Sequence, residues 1–149
     1  MDVVQLLRGV PVFDGLSEAE LALVANICRE ARFAKDEALT TQGTEGDEMF
    51  VIQSGLLEVR VGHLGTGSLP PHTVVNLGAG QVVGEMSLVD HGPRSATVRC
   101  ATAECHVLVI EREAFEQLCQ ADHHIGMRVY RNLAADLSFK LRHRHLAQS

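Results

Sequence analysis

The sequence predicts a mainly β domain, an antiparallel β-roll of the jelly-roll barrel type, with helices before it and one long helix after it. Two observations support this fold class. Between residues 31 and 110, apolar residues recur with a period of two, in short runs separated by glycine-containing turns. On both sides of that region the apolar spacing changes to three and four residues, which is typical of helices. The chain of 149 residues has the length of a single domain, 1–149.

The N-terminal helical segment is predicted to cover residues 1–30. Helices are expected over residues 3–8 and 18–29, where apolar residues share one face. Ser17 followed three residues later by Glu20 is the pattern of a capping box, which predicts that the second helix begins here. Between the two helices, a proline and a glycine indicate a tight corner.

The β-roll is predicted to cover residues 31–110. Turn-forming residues punctuate it at 43–47 and 54–55, and residues 62–71, rich in glycine and proline, are expected to form an exposed loop. The predicted strands are residues 32–34, 38–42, 48–53, 56–61, 72–77, 96–98 and 107–110.

The C-terminal segment, residues 111–146, is predicted to be helical. A first helix is expected over residues 112–120, and Asp122 can cap a second one that runs to about His145. Apolar residues follow one another at steps of four along this last helix, forming one apolar stripe.

Composition restricts the classes of function. The formal net charge of −6 disfavours a surface that coats DNA or RNA, which would be basic. The four cysteines form no Cys-x-x-Cys pair and lie among apolar neighbours, as expected of reduced thiols in the cytoplasm. No apolar run approaches the ~20 residues of a membrane helix. We therefore expect a soluble, cytoplasmic protein.

The segment 82–98 carries the chemistry. Glu85 follows directly after Gly84, and Arg94 comes nine residues later, with one helical turn's worth of apolar residues between them. A guanidinium fork can bind a phosphate through two parallel hydrogen bonds. A carboxylate beside it is a poor phosphate ligand, but it can accept a hydrogen bond from a sugar hydroxyl. The residues alone therefore indicate a sugar phosphate pocket; the alternative is a surface loop in which Glu85 and Arg94 pair with each other.

Two motifs in this segment resemble a known family. They are Gly-Glu-Met-Ser-Leu at residues 84–88 and Pro-Arg-Ser-Ala-Thr-Val at residues 93–98. Together they are similar to the phosphate-binding cassette of the cyclic nucleotide-binding domain family, which includes catabolite activator proteins, regulatory subunits of cAMP-dependent kinase and cyclic-nucleotide-gated channels. The resemblance extends over residues 10–141 and implies a β-roll flanked by helices that senses a cyclic nucleotide.

The resemblance also implies the ligand and its contacts. Arg94 would bind the cyclic phosphate with backbone N–H groups of the cassette, and Glu85 would accept the ribose 2′-hydroxyl. Ser95 stands where family members that prefer cGMP carry threonine, so cAMP is expected before cGMP, with no further cofactor. The cassette residues implied in binding are Gly84, Glu85, Met86, Ser87, Arg94, Ser95 and Ala96.

The base is expected to lie against barrel residues Val75 and Val82. In the family the last helix moves to cover the base, which makes Tyr130, Arg131 and Leu133 candidates for touching it. The alternative is that the stripe of this helix only packs on the barrel. In several members the same helix makes a dimer contact, so a homodimer is possible here, while the effector protein or domain is unknown. The sequence stops at Ser149 with no helix-turn-helix module, so DNA binding of that type is not expected.

Three other readings find little support. The glycines at 78, 80 and 84 do not match a dinucleotide fingerprint, because Val83 occupies the third glycine position. His63, His72, His91 and His106 are isolated, and the pair His143 and His145 lies at a basic helix end, so no metal site is expected. No nucleophile with a base is recognisable, and we do not expect an enzyme. A remaining alternative is a structural or protein-interaction domain of the same fold that has lost or altered ligand binding.

Overall fold

The computed structural model describes residues 2–62 and 72–148. The loop expected at 62–71, with His63, lies outside the described residues apart from Gly62, and so does the side chain of His145. The helices are α1 (Val3–Arg8), α2 (Glu18–Asn26), α3 (Arg112–Ala121) and α4 (His123–Gln148), with a short 3-10 turn, the corner helix, at Pro11–Phe13. A second 3-10 turn, the cassette helix, spans Glu85–Leu88.

The N-terminal capping box is confirmed. The Ser17 Oγ accepts a hydrogen bond from the Glu20 amide at 3.1 Å, and Glu20 Oε1 accepts one from the Ser17 amide at 2.9 Å. Helix α2 ends three residues before its predicted end. The reason is that Arg29 already pairs with Val109 in a β ladder, so residues assigned to the helix by their spacing belong to a strand.

In residues 2–62 and 72–148, eight strands form two antiparallel four-stranded sheets, which confirms the predicted fold class. Sheet one has the order β1-β8-β3-β6, and sheet two has the order β2-β7-β4-β5. The strands are β1 (Arg29–Ala34), β2 (Ala38–Thr40), β3 (Glu48–Ser54), β4 (Leu57–Gly62), β5 (His72–Leu77), β6 (Val82–Val83), β7 (Thr97–Cys100) and β8 (Glu104–Glu111).

The central strands of sheet one, β3 and β8, are buried on both faces. Along β3, Met49 and Val51 contact the helices, whereas Phe50 and Ile52 point into the space between the two sheets. This explains why β3 and β8 are nearly continuous apolar runs, since successive side chains of a strand point to opposite faces and here both faces are covered.

The C-terminal helices pack on sheet one. Asp122 caps α4, because its Oδ1 accepts a hydrogen bond from the Ile125 amide at 3.2 Å. The first half of α4 is also tied to the N-terminal corner: Arg128 Nε donates to the Asp14 carbonyl at 3.0 Å, and Asn132 Nδ2 donates to the Val12 and Asp14 carbonyls at 2.9 Å. No helix in the described part of the chain is long and apolar enough to span a membrane.

Candidate functional site

The cassette begins with a turn that requires glycine. After β6, Gly84 adopts a left-handed conformation with φ of 77°. A Cβ atom here would lie 2.7 Å from Arg94 Nη1 and 2.8 Å from the Glu48 carbonyl oxygen. Gly84 therefore lets the chain turn from β6 into the cassette helix while the arginine side chain lies against its backbone.

The loop at residues 43–47 positions Arg94. The Arg94 amide donates to the Thr44 carbonyl at 2.7 Å, and the Gly43 amide donates to the Arg94 carbonyl at 2.9 Å. A Cβ atom on Gly46 would lie 2.1 Å from Arg94 Nε. The guanidinium therefore packs against this glycine-rich turn. The sequence predicted only that the turn separates two strands.

Arg94 is 8% exposed, and part of the hydrogen-bonding capacity of its side chain is used by the protein. Its Nη1 donates to the Glu48 carbonyl at 2.8 Å and to Ser87 Oγ at 2.7 Å. The guanidinium carbon also lies 5.7 Å from the centre of the Phe50 ring. These contacts within the protein fix the plane of the guanidinium.

The remaining N–H groups of Arg94, on Nε and Nη2, have no hydrogen-bond partner among residues 2–62 and 72–148. Burial lowers the pKa of this guanidinium, while the charges of Glu48 and Asp47 oppose that shift. Arginine stays protonated in proteins at any ordinary pH. A buried cation with open donors is therefore available to a buried anion.

A cavity of about 560 Å³ adjoins this arginine. Its size and mixture of apolar wall and few polar groups fit a small-molecule site. Eight residues predicted from the sequence line it, namely Val82, Gly84, Glu85, Met86, Ser87, Arg94, Ser95 and Ala96. The other lining residues are Thr40, Val59, Leu77, Val83, Asp90, Gly92, Pro93, Val98 and Lys140.

Glu85 does not pair with Arg94. Its carboxylate Oε1 lies 4.0 Å from the Lys140 ammonium, which is held more closely by Asp136 at 2.9 Å, one turn earlier on α4. The hydrogen bond to Asp136 and the charges of Asp136 and Glu85 raise the pKa of Lys140, although partial burial opposes them. The carboxylate and the guanidinium of the cassette are therefore separate groups on one cavity, as two-point recognition requires.

Four predicted residues do not line the cavity. Val75 is paired with Val59, so it lies on the cavity side of sheet two, but it is 50% exposed and does not reach the cavity wall. Leu133 is buried in the core between α4 and sheet one, and Arg131 is exposed. The Tyr130 hydroxyl donates to the Leu88 carbonyl at 3.3 Å and so contacts the cassette helix.

Lys140 is the α4 residue that the sequence analysis missed. It lies seven residues after Leu133, two turns or about 10 Å further along the same face of the helix. Because residues 125, 129 and 133 are used to pack α4 on sheet one, the helix reaches the cavity only beyond them. The step-of-four pattern predicted which face of α4 packs against the domain. It did not predict which residue along that face lies at the cavity.

Backbone donors complete the cavity. The amides of Met86, Ser95 and Ala96 have no hydrogen-bond partner within the described residues. Met86 stands in the first turn of the cassette helix, where amides have no partner within the helix. These amides and Arg94 lie on neighbouring segments around the same cavity.

Other parts of the molecule offer less. A shallow cavity of about 610 Å³ between α1 and sheet one is lined by the buried Leu6 and by polar residues that are not buried, such as Glu30, Arg32 and His106. In the two described stretches, no group of three or more His, Cys, Asp or Glu residues could hold a metal ion. After Gly78 and Gly80 the chain enters a two-residue antiparallel strand, not the helix that a dinucleotide fingerprint needs.

Comparison with known proteins agrees with this geometry. The sequence description of the cyclic nucleotide-binding domain matches residues 30–122, more than half of the chain. The chain belongs to the cyclic nucleotide-binding domain family. The family is one of regulatory, ligand-binding domains, and both cassette motifs lie within the matched residues.

Relatives and structures show the same membership. The chain is 33% identical over 118 residues to a cAMP-dependent protein kinase regulatory subunit of Mycosarcoma maydis, covering 76% of this chain and 22% of the relative. It is 31% identical over 113 residues to a cGMP-dependent protein kinase of Drosophila melanogaster, covering 75% of this chain and 12% of the relative. The crystal structure of a catabolite activator protein from Thermus thermophilus superposes with a TM-score of 0.77 at 29% identity, covering 93% of this chain and 61% of that one.

The chain thus spans about a fifth or less of the two kinase-related proteins that it matches. What is common to all three is the cyclic nucleotide-binding domain itself. The names of the two relatives point to different nucleotides, one to cAMP and the other to cGMP.

Proposed function

We propose that residues 1–149 form one regulatory domain, without catalytic activity, that binds a cyclic nucleotide, cAMP in preference to cGMP. The observation that carries the proposal is the state of Arg94. Two N–H groups of its guanidinium are held by Glu48 and Ser87, and its other donors have no partner among the described residues. A buried, oriented fork of this kind suits a singly charged cyclic phosphate.

In this proposal, different groups of the cavity contact the phosphate, the ribose and the base of the ligand. The amides of Met86, Ser95 and Ala96 donate to the phosphate beside Arg94. Glu85 accepts a hydrogen bond from the ribose 2′-hydroxyl through the carboxylate oxygen that Lys140 does not face. Val82 supports the base on the barrel side, together with Val59 and Leu77, which also line the cavity.

The preference for cAMP is supported by Ser95, the residue after Arg94, where threonine accompanies cGMP preference in parts of the family. The names of the relatives favour neither nucleotide. Helix α4 is the element that responds to the ligand, because it contributes Lys140 to the cavity wall and Tyr130 to the cassette helix. A ligand shifts α4 only if it binds one helix position more tightly than the other.

Calorimetric titration of the purified protein with cAMP and with cGMP tests the proposal. The wild-type protein should bind cAMP more tightly, and Arg94→Ala should lose about 2–5 kcal/mol of binding free energy, the scale for breaking a buried charged contact. Arg99→Ala is the matched control, since Arg99 is exposed on β7. If neither nucleotide binds the wild-type protein, the proposal is wrong, and a protein-interaction domain becomes the better reading.

A second titration assigns the role of Glu85. Wild-type protein should bind 2′-deoxy-cAMP about tenfold or more weakly than cAMP, because a hydrogen bond to a charged acceptor contributes about 1.5–3 kcal/mol. Glu85→Ala should bind both nucleotides with similar affinity, which closes a double-mutant cycle on the hydroxyl. An unchanged preference for cAMP over its deoxy analogue in Glu85→Ala would assign the hydroxyl to another residue.

The proposal extends to a homodimer and to the cytoplasm. Phe139 and Leu141 on the second half of α4 are each 63% exposed, which supports a helix-to-helix contact with a second copy. Phe139→Glu should then lower the molecular mass measured by light scattering from that of a dimer to that of a monomer. All four cysteines are free thiols, and all four lie in or beside the core clusters, which supports a reducing compartment.

A further inference from the structure

Ser87 is held by two arginines from different parts of the chain. Its Oγ accepts a hydrogen bond from Arg94 Nη1 at 2.7 Å, and its backbone carbonyl accepts one from Arg112 Nη1 at 3.2 Å. Ser87 is 7% exposed; its contact with Arg94 is buried and its contact with Arg112 is partly buried. A single residue of the cassette helix therefore joins the cavity arginine to the first residue of α3.

Arg112 does not line the cavity itself, but it contacts two cassette residues that do, Ser87 and Asp90. Its Nη1 also donates to the Asp90 carbonyl at 3.0 Å, and its Nη2 lies 2.6 Å from His91 Nδ1. Its backbone amide donates to the Asp47 carbonyl at 2.8 Å, in the loop that packs against Arg94. The side chain is 11% exposed and does not line the cavity. Arg112 thus binds both the cassette and the loop at residues 43–47 to the first residue of α3.

Helix α4 also contacts the cassette helix, at Leu88, the residue that follows Ser87. The Tyr130 hydroxyl donates to the Leu88 carbonyl at 3.3 Å, and its ring packs edge-on against Phe115 of α3 with 5.7 Å between centroids. The carbonyls of Ser87, Leu88 and Asp90 are therefore held by side chains of the α3–α4 pair. A four-residue 3-10 turn has few hydrogen bonds of its own, so these contacts fix its position.

We infer that Arg112 is a positioning residue that couples the occupancy of the cavity to the α3–α4 pair. This inference rests on the proposed function, because Arg94 must bind the ligand's anionic group. An anion that draws the Arg94 guanidinium toward the cavity changes the hydrogen bond to Ser87 Oγ. Because Arg112 holds the carbonyl of the same residue, a shift of Ser87 moves α3 with it, and α4 follows through Phe115 and Tyr130. Without Arg112, the cassette can respond to the ligand while the helices do not.

Hydrogen–deuterium exchange tests this inference on the full chain, with and without cAMP, in wild type, Arg112→Ala and the control Arg99→Ala. Without ligand, amides of residues 85–91 should exchange about tenfold faster in Arg112→Ala than in wild type, given the loss of charge-assisted hydrogen bonds. With saturating cAMP, wild type and Arg99→Ala should show a change of protection in α4. Arg112→Ala should bind cAMP with an affinity within about tenfold of wild type and lose that change in α4.

The outcomes separate the two proposals. If wild type binds neither cAMP nor cGMP, the proposed function fails, and the coupling inference fails with it. If wild type binds cAMP and the ligand-induced change in α4 is the same in Arg112→Ala, only the coupling inference is overturned. Unchanged exchange at residues 85–91 without ligand overturns it as well. A residue with a merely structural role would alter exchange in both states but leave the ligand-induced difference in place.

Arg112→Lys is the second variant, and the same criteria decide the case if Arg112→Ala does not fold. Lysine keeps the positive charge and the length of the side chain, but a single ammonium cannot hold Ser87, Asp90 and His91 in the fork geometry. We expect the ligand-induced change in α4 to fall to less than half of its wild-type size in this variant. A full-sized change would overturn the inference.

Discussion

The ammonium of Lys140 and the carboxylate of Glu85 lie 4.0 Å apart, between the distal half of α4 and the cassette helix. Both side chains line the same cavity. Lys140→Ala should weaken cAMP binding by about twofold to fivefold, because a solvent-accessible ion pair contributes about 0.2–1 kcal/mol. Titration calorimetry measures the change. Lys35→Ala, which removes the only other lysine of the chain, is the control, and an equal loss in both variants would argue against a role for Lys140.

Substitutions of Gly46 and Gly43, which lie in the same loop, separate a steric effect on Arg94 from an effect of backbone conformation on stability. Gly46→Ala places a Cβ atom 2.1 Å from Arg94 Nε and should weaken cAMP binding at least tenfold, because the guanidinium must move. Gly43 has φ of 86° and open space around a Cβ atom. Gly43→Ala should therefore lower stability by about 1–2 kcal/mol with little effect on affinity. Thermal melts and titrations of both variants check the two effects, and affinity loss of equal size in both would contradict this division.

The stability of the protein should fall on acidification, in part through Glu20. The hydrogen bond from the Ser17 amide, with smaller contributions from His124, lowers the pKa of this carboxyl below 4.5, although burial opposes the shift. A lowered pKa in the folded state means that Glu20 stabilises the protein fully above the pKa of a free glutamate, about 4.3, and loses this effect as the pH falls from there through the lowered pKa. Urea denaturation across that range should show a shallower decline for Glu20→Gln, and an equally steep decline would exclude Glu20 as a cause.

The cysteines should be unreactive in the folded protein. Burial raises the pKa of the Cys28 thiol to about 12, and burial together with the charges of Glu116 and Asp122 raises that of Cys119 to about 11. Since the thiolate is the reactive form, alkylation of Cys28 at pH 8 should be on the order of a thousandfold slower than in the unfolded chain. Mass spectrometry after timed alkylation, with and without urea, measures the ratio. Equal rates in the two conditions would contradict the buried positions.

The periodicity of the sequence was sufficient to predict the helices, the antiparallel fold class and most of the strands. It placed the end of α2 too late, because nothing local distinguishes residues that continue a helix from residues that pair with β8. Strand β6 consists of Val82–Val83 alone and forms because Phe50 and Val51 offer it an edge, which is a tertiary effect.

The cassette side of the site was predictable because its chemistry is contained in two short motifs. The helix side was not. Which residue of α4 meets the cavity depends on how Ile125, Val129 and Leu133 seat the helix on sheet one, and this packing puts Lys140 there. The closeness of Gly46 to Arg94 likewise depends on a loop that precedes Arg94 by almost fifty residues of sequence.

The hydrogen bonds from Arg128 and Asn132 to the N-terminal corner have a consequence for how a signal could leave the domain. They bind the first half of α4 to the carbonyls of Val12 and Asp14, and the corner carries α1 and α2 on either side. A rotation of α4 that preserved these hydrogen bonds would move the N-terminal corner together with the helix as one rigid body. The first residues of the chain would then travel with the last helix, and a fluorophore attached near Asp2 would report what happens at a cavity formed without any residue of α1 or α2.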